Sequence, residues 1–282
     1  MAAFPSWLKA RNARSGIAFG DGFVVVARLR PSRHGFKVES SARRDLPEDL
    51  VVHSLTKPNI RSVSDLAQFL EPALAEAGCP PGRTAVLLSD RSARGFVLSS
   101  SGSAEKQMAS RLPFPAGEAA WDVFRSGSRF LVGAAVRRAV RDQYEQVMDA
   151  VGYRASVIEP AGLVRLPEWA RRARKDQGRD DPRRLSVHVQ IHRDHYTFAI
   201  FLGAELVDLR VRLRPRGDRR PIFEDLSRLS SFYDGRPYRV VTVAGEESDE
   251  LAEWLPSLPM ERLEANEPDH LTSLLAAVAH RA

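Results

Sequence analysis

Gly16-Ile17-Ala18-Phe19-Gly20-Asp21-Gly22-Phe23-Val24-Val25-Val26-Ala27-Arg28-Leu29 holds two apolar runs around a Gly-Asp-Gly turn. Glycine tolerates the positive φ of tight turns between strands, so this stretch predicts a β-hairpin. A third strand over 35–40 extends it to a meander. Outward from there, apolar residues at 63, 66, 69, 70, 73, 74 and 77 fall on one helical face, and Gly78 with Pro80-Pro81-Gly82 stops that helix. Strands follow at 84–88 and 95–98, a short helix at 104–111 and a strand at 129–136. An amphipathic helix over 137–151 and a strand over 154–158 close the first half.

Residues 165–184 are dominated by charge, mostly basic, and read as a helix tail plus an exposed linker, the main domain boundary. Beyond it, strands are expected at 185–192, 196–202 and 205–213. A helix at 222–233, a strand at 238–243, a helix at 247–255 and a closing helix from about 268 follow. Three strands, then helix and strand units, thus occur twice along the chain.

The 282 residues are 43% hydrophobic and 28% charged, which is ordinary globular composition and excludes disorder of the whole chain. The single cysteine, Cys79, excludes an internal disulfide framework and a cysteine-rich metal site, and favours a reducing compartment. No stretch approaches the ~20 apolar residues that span a bilayer. Met1 to Arg14 lacks the pattern of a secretory signal, and a frayed terminus is its expected state. A cytosolic protein is expected. The net charge of +6 comes from 37 arginines and 5 lysines against 36 acids. It is spread along the chain with little aromatic interleaving, so nucleic acid is not the expected partner. There is no Gly-Lys pair for a Walker A loop and no His-Glu-x-x-His.

The doubled element order resembles that of actin-like proteins. Gly16-Ile17-Ala18-Phe19-Gly20 is similar to the opening Gly-Ile-Asp-Ile-Gly of the PilM family of pilus-assembly proteins. Phe130-Leu131-Val132-Gly133-Ala134-Ala135, followed by a basic amphipathic helix and Ala150-Val151-Gly152, resembles the segment in which those proteins leave an inserted subdomain and return to the first lobe. Leu226 to Tyr233, Val240 to Gly245 and Leu271 to Arg281 resemble further PilM segments. The resemblance implies an α/β, actin-like (ribonuclease H-like) two-lobe fold. Its parts are a first lobe of 14–45 and 137–180, an inserted α/β subdomain of 46–136, and a second lobe of 183–282 with a C-terminal helix. A fourth subdomain of ~60 to 100 residues, ordinary for a small domain, has no room between Leu213 and Ile222.

In the actin-like superfamily a hairpin in each half grips nucleotide phosphates, and an Asp in each organises Mg²⁺, a hard cation that needs anionic oxygen. By that resemblance the degenerate nucleotide positions here are Gly20, Asp21, Gly22, His188, Gln190 and Gly245. Ala18 stands at the first Asp position, His188 at the second and Gln190 at a Gly position. The resemblance therefore implies a pseudo-ATPase with no catalytic residue and no cofactor. His188, His192 and His195 invite a metal reading. At ~3.3 Å per strand residue the first two lie ~13 Å apart, and His195 is expected on the opposite face, so no metal site is expected.

The PilM resemblance further implies a cytoplasmic, non-enzymatic scaffold, peripheral at the inner membrane, in a type IV pilus or type II secretion-like machine. Its partner would be the cytoplasmic tail of a PilN-like single-pass membrane protein, held between the first lobe and the insert, with other platform proteins as further partners. Trp121, Phe124, Arg137 and Arg138 lie in that part of the chain. Arg210, Arg212 and Arg214 alternate with Leu209, Val211 and Leu213, which places three guanidinia on one strand face as a docking strip or a solvated face. A functional actin-like ATPase and a basic nucleic-acid-binding protein remain the alternatives.

Overall fold

The computed structural model describes residues 13–33, 35–177, 184–233, 238–245 and 275–276. The hairpin expected at the start forms, with strands β1 (Ser15–Gly20) and β2 (Phe23–Ser32), and β3 (Gly35–Asp45) pairs antiparallel with β2. Helix α1 (Val63–Glu76) is capped by the Ser62 side chain, which accepts from the Asp65 amide at 3.2 Å, and Gly78 at φ 61° follows it. Strand β4 (Gly82–Leu88) then pairs parallel with β1, and β8 (Tyr153–Pro160) pairs parallel with β4. The first sheet runs β3-β2-β1-β4-β8.

Alternation sorts this sheet's side chains. Ile17, Phe19, Val24, Val26 and Val86 face α1 and helix α3 (Arg138–Ala150). Ala18, Val25, Ala27, Ala85 and Leu87 face the other way, where α4 (Ala161–Val164) and Leu275 cover them. A sheet buried on both faces needs apolar residues at consecutive positions, as Val24-Val25-Val26 supplies.

The second lobe repeats the plan. Strands β9 (Leu185–Ile191), β10 (His195–Leu202) and β11 (Glu205–Leu213) form an antiparallel meander, and β12 (Tyr238–Gly245) joins β9 in parallel. The order is β11-β10-β9-β12. Ile222, Leu226 and Leu229 of α6 (Arg220–Phe232) pack on one face. Only residues 214–219 separate β11 from α6, so no fourth subdomain stands there.

The insert is smaller than sequence alone suggested. α1 and β4, assigned to it above, belong to the first lobe because β4 pairs with β1 and β8. What remains is a three-stranded sheet, β5 (Ala93–Ser99), β7 (Phe130–Arg137) and β6 (Ala119–Ser126), in the order β5-β7-β6, with α2 (Ala104–Ala109) against it. Strand β6 was not foreseen.

The expected linker at 165–184 is also corrected over its described part. α5 (Leu166–Gln177) buries Leu166, Trp169 and Ala173 against Ala199, Phe201, Leu206 and Leu209 of the second lobe and Val132 and Ala134 of the insert. The expected helix at 247–255 and the terminal segment 1–12 lie outside the described residues. Of the closing helix only Leu275 and Ala276 are described; Leu275 is buried against Gly16, where a Cβ would come within 2.8 Å of it. No helix among the described residues is long and apolar enough to cross a membrane.

Candidate functional site

Two places where the parts meet carry the chemistry. The first is where the hairpin tips of the two lobes face each other. Asp21 and Gly22 (φ 85°) form the first tip, between β1 and β2. Arg193 and Asp194 form the second, and the flanking His192 and His195 are joined by the His192 amide donating to the His195 carbonyl at 2.8 Å. Residues flanking a two-residue turn lie opposite each other on one face. The two imidazoles accordingly stack, with centroids 4.3 Å apart and planes 11° from parallel. This corrects the expectation that His195 points away: the turn is the two-residue one at Arg193-Asp194, which sets His195 opposite His192.

A chain of charge crosses the joint. His195 Nδ1 lies 2.9 Å from Asp194 Oδ1 and 3.3 Å from Asp21 Oδ2, and Arg91 pairs with Asp194. Burial alone would lower the His195 pKa, but the Asp194 and Asp21 carboxylates outweigh it and raise the pKa to about 9. Burial pushes Asp194 up, and its bonds to His195 and Asp21 and the nearby Arg91 draw it down to about 2. Behind the tips, Asp90 accepts from the Gly162 amide at 2.7 Å and from Thr197 Oγ1 at 2.7 Å, so one carboxylate links the first lobe to β10. Burial raises the Asp90 pKa. His53 Nε2 lies 2.9 Å from the Gly20 carbonyl, and burial lowers its pKa. Sequence reasoning missed His53, Asp90, Arg91 and Asp194, since they are distant in the chain and meet only through the fold.

The remaining nucleotide-position residues are spread out. Ala18 is buried among apolar neighbours. His188 lies between Trp169 and Phe201, with ring centroids 5.3 and 5.4 Å away, and burial lowers its pKa to about 3. Gln190 is fully buried with Nε2 at 2.9 Å from His192 Nε2. Gly245 ends β12 opposite Ile191. A Mg²⁺-nucleotide does not fit this set. Neither Ala18 nor neutral His188 supplies an anionic oxygen, Asp90 and Asp194 are engaged by protein groups, and the Asp21 carboxylate, at the hairpin tip rather than in the strand, pairs with His195.

The second place is a groove of ≈ 560 Å³ between the insert and the first lobe. β6 lines one side with Ala119 to Asp122, β8 lines the other with Ala155 to Ile158, and Ala134, Ala135, Arg138 and Arg141 complete it. Alanines at so many lining positions leave the space. Among the described residues β6 and β8 are each the outer strand of their sheet, so each turns an edge outward, although side chains already engage the Ala119 carbonyl and Val123 amide of β6. Trp121 is 42% exposed on this groove.

The expected partner residues separate here. Trp121 and Arg138 line the groove; Arg138 donates to the Ala119 carbonyl at 3.1 Å. Phe124, an odd number of strand residues from Trp121, faces the other way and packs at the joint with the second lobe. Arg137 pairs with Glu118 at 2.7 Å and donates to the Thr56 carbonyl. The arginine strip is corrected too. Arg214 is buried and donates to the His192 carbonyl at 2.7 Å, Arg210 pairs with Asp208 at 2.6 Å, and Arg212 lies 3.6 Å from Asp225. Arg214 thus leaves the strip, while Arg210 and Arg212 stay two residues apart on one face of β11.

The doubled meander-and-crossover plan, with lobes facing hairpin to hairpin, defines a protein of the actin-like ATPase fold. A solved structure of the PilM-PilN type IV pilus biogenesis complex is similar, with TM-score 0.70 and 16% identity over 96% of this chain and 97% of that one. So is a Bacteroides thetaiotaomicron protein with actin-like ATPase fold and unknown function, with TM-score 0.62 and 7% identity over 96% and 98%. At these identities the likeness is one of fold. No family model matches the sequence, and no curated protein does.

Proposed function

We propose that this protein is a non-enzymatic scaffold that holds an extended peptide in the groove between β6 and β8. The peptide is the cytoplasmic tail of a PilN-like single-pass membrane protein in a pilus or secretion assembly platform, and the scaffold is peripheral at the inner membrane through that partner. The observation that carries this reading is the groove itself: the outer strands of two sheets line one alanine-rich space, and Trp121 stands exposed on it. A sheet edge recognises an extended chain through its backbone, and neighbouring pockets read the side chains. The likeness to the PilM-PilN complex structure supports the choice of partner. The misfit of the hairpin residues to Mg²⁺-nucleotide supports a pseudo-ATPase.

The test is binding of tail peptides from single-pass membrane proteins encoded near this chain. Saturable binding is expected, weakened at least ~10-fold by Trp121→Ala, as an aromatic anchor in a groove implies. Binding should also be blocked by the groove-filling Ala120→Trp. Unchanged affinity in both variants would sink the groove as the site. Calorimetry with millimolar Mg-ATP is expected to give no saturable heat; a saturable isotherm would favour the ATPase reading.

A further inference from the structure

We infer that Asp21, His192 and His195 form a site for a divalent transition metal of the zinc class, which ties the two lobes together at their hairpin tips. One carboxylate oxygen and one nitrogen from each ring all lie within 4.8 Å of one another. Rotation of these side chains brings such atoms to the ~2 Å metal–ligand distance, with the rings turning out of their parallel stack. The donor set selects the metal: two imidazoles and a carboxylate suit Zn²⁺, whereas Mg²⁺ prefers oxygen throughout.

Three further observations point the same way. Buried polar atoms ordinarily have partners. Here His195 Nε2 has no hydrogen-bond partner, although the side chain is only 1% exposed. A cation bound there satisfies it. Second, the His195 ring is held by a neighbour: Asp194 lies 2.9 Å from its Nδ1. A carboxylate on one ring nitrogen orients the ring and holds its N–H, a recurring support of metal-ligating histidines, and a metal at Nε2 displaces the proton that the paired ring otherwise carries there. Third, the backbone under the rings is fixed by the His192–His195 bond and by Arg214 on the His192 carbonyl. The ligands come from both lobes, Asp21 from the first and the histidines from the second, so occupancy locks their relative position. This inference does not depend on the peptide groove.

The test uses the full chain, stripped with chelator and titrated with Zn²⁺ and separately with Mg²⁺ by calorimetry. One saturable Zn²⁺ site per chain is expected, with a rise in Tm, and no response to Mg²⁺ at the same concentration. Asp21→Asn and His192→Asn should each weaken Zn²⁺ binding at least 10-fold. Absence of a saturable site, or a site of unchanged affinity in both variants, overturns the inference. Should the variants fail to fold, Co²⁺ loaded into the unaltered chain decides: visible d–d bands of a low-coordinate nitrogen and oxygen site support it, and the spectrum of six-coordinate aqueous Co²⁺ overturns it.

Discussion

At the scale of the residue, His188 shows what burial does to a titratable ring. Packed between Trp169 and Phe201, it has a pKa near 3, against about 6.5 in the unfolded chain. Between those values the unfolded chain binds a proton that the folded chain does not. Stability therefore falls as pH drops below about 6.5, by about 1.4 kcal/mol per pH unit for this one group. Urea unfolding at pH 7.5 and pH 5 should show His188→Leu losing one proton's share of that slope. Asp90 predicts a cost in buried hydrogen bonds. Asp90→Ala strands the Gly162 amide and the Thr197 hydroxyl in a buried site, at about 2 to 4 kcal/mol for the two, while Asp90→Asn keeps an acceptor and costs less; denaturant midpoints check both. Residue identity at single positions was legible in sequence: Ala18, His188 and Gln190 are departures that need no fold to be seen. The pairing of His192 with His195 was not, because it depends on the length of the turn, two residues at Arg193-Asp194, which decides which flanking residues face each other.

At the scale of the element, strong periodicity was read correctly and weak periodicity was not. α1 and the opening hairpin declare themselves by spacing and by glycine. β6 escaped because Ala119-Ala120-Trp121-Asp122 does not alternate, as befits a strand with one edge on a groove. α5 escaped for a different reason. Its apolar positions 166, 169, 170 and 173 have helical spacing, but arginines surround them, and the charge was read as solvent exposure. Trp169 nonetheless sits fully buried where α5, the insert and the second lobe meet. Trp169→Ala should therefore cost about 3 to 5 kcal/mol, seen as a loss in thermal stability.

At the scale of the whole molecule, the doubled order of elements made the two lobes legible, while the joints between parts were not, since each brings together residues far apart in sequence. The joint of insert and second lobe is the plainest example. Glu205 accepts from the Ser128 amide at 2.8 Å and its hydroxyl at 2.9 Å, and pairs with Arg129 at 2.8 Å. Across the same joint the Leu206 amide donates to Ser126 Oγ at 2.8 Å. Because the Arg129 side chain is exposed, Glu205→Ala should leave the midpoint of global unfolding nearly unchanged. Hydrogen exchange at residues 126–130 should nevertheless quicken, which separates a local joint from a global one.

The insert touches both lobes, and the lobes touch each other through Asp21, Arg91 and Asp90. Two bodies that share one contact can swing about it. Three bodies braced pairwise form a triangulated frame, in which no corner opens unless another joint gives. A load applied at the groove thus spreads through the insert into both lobes, and the molecule meets it as a bracket rather than as a hinge.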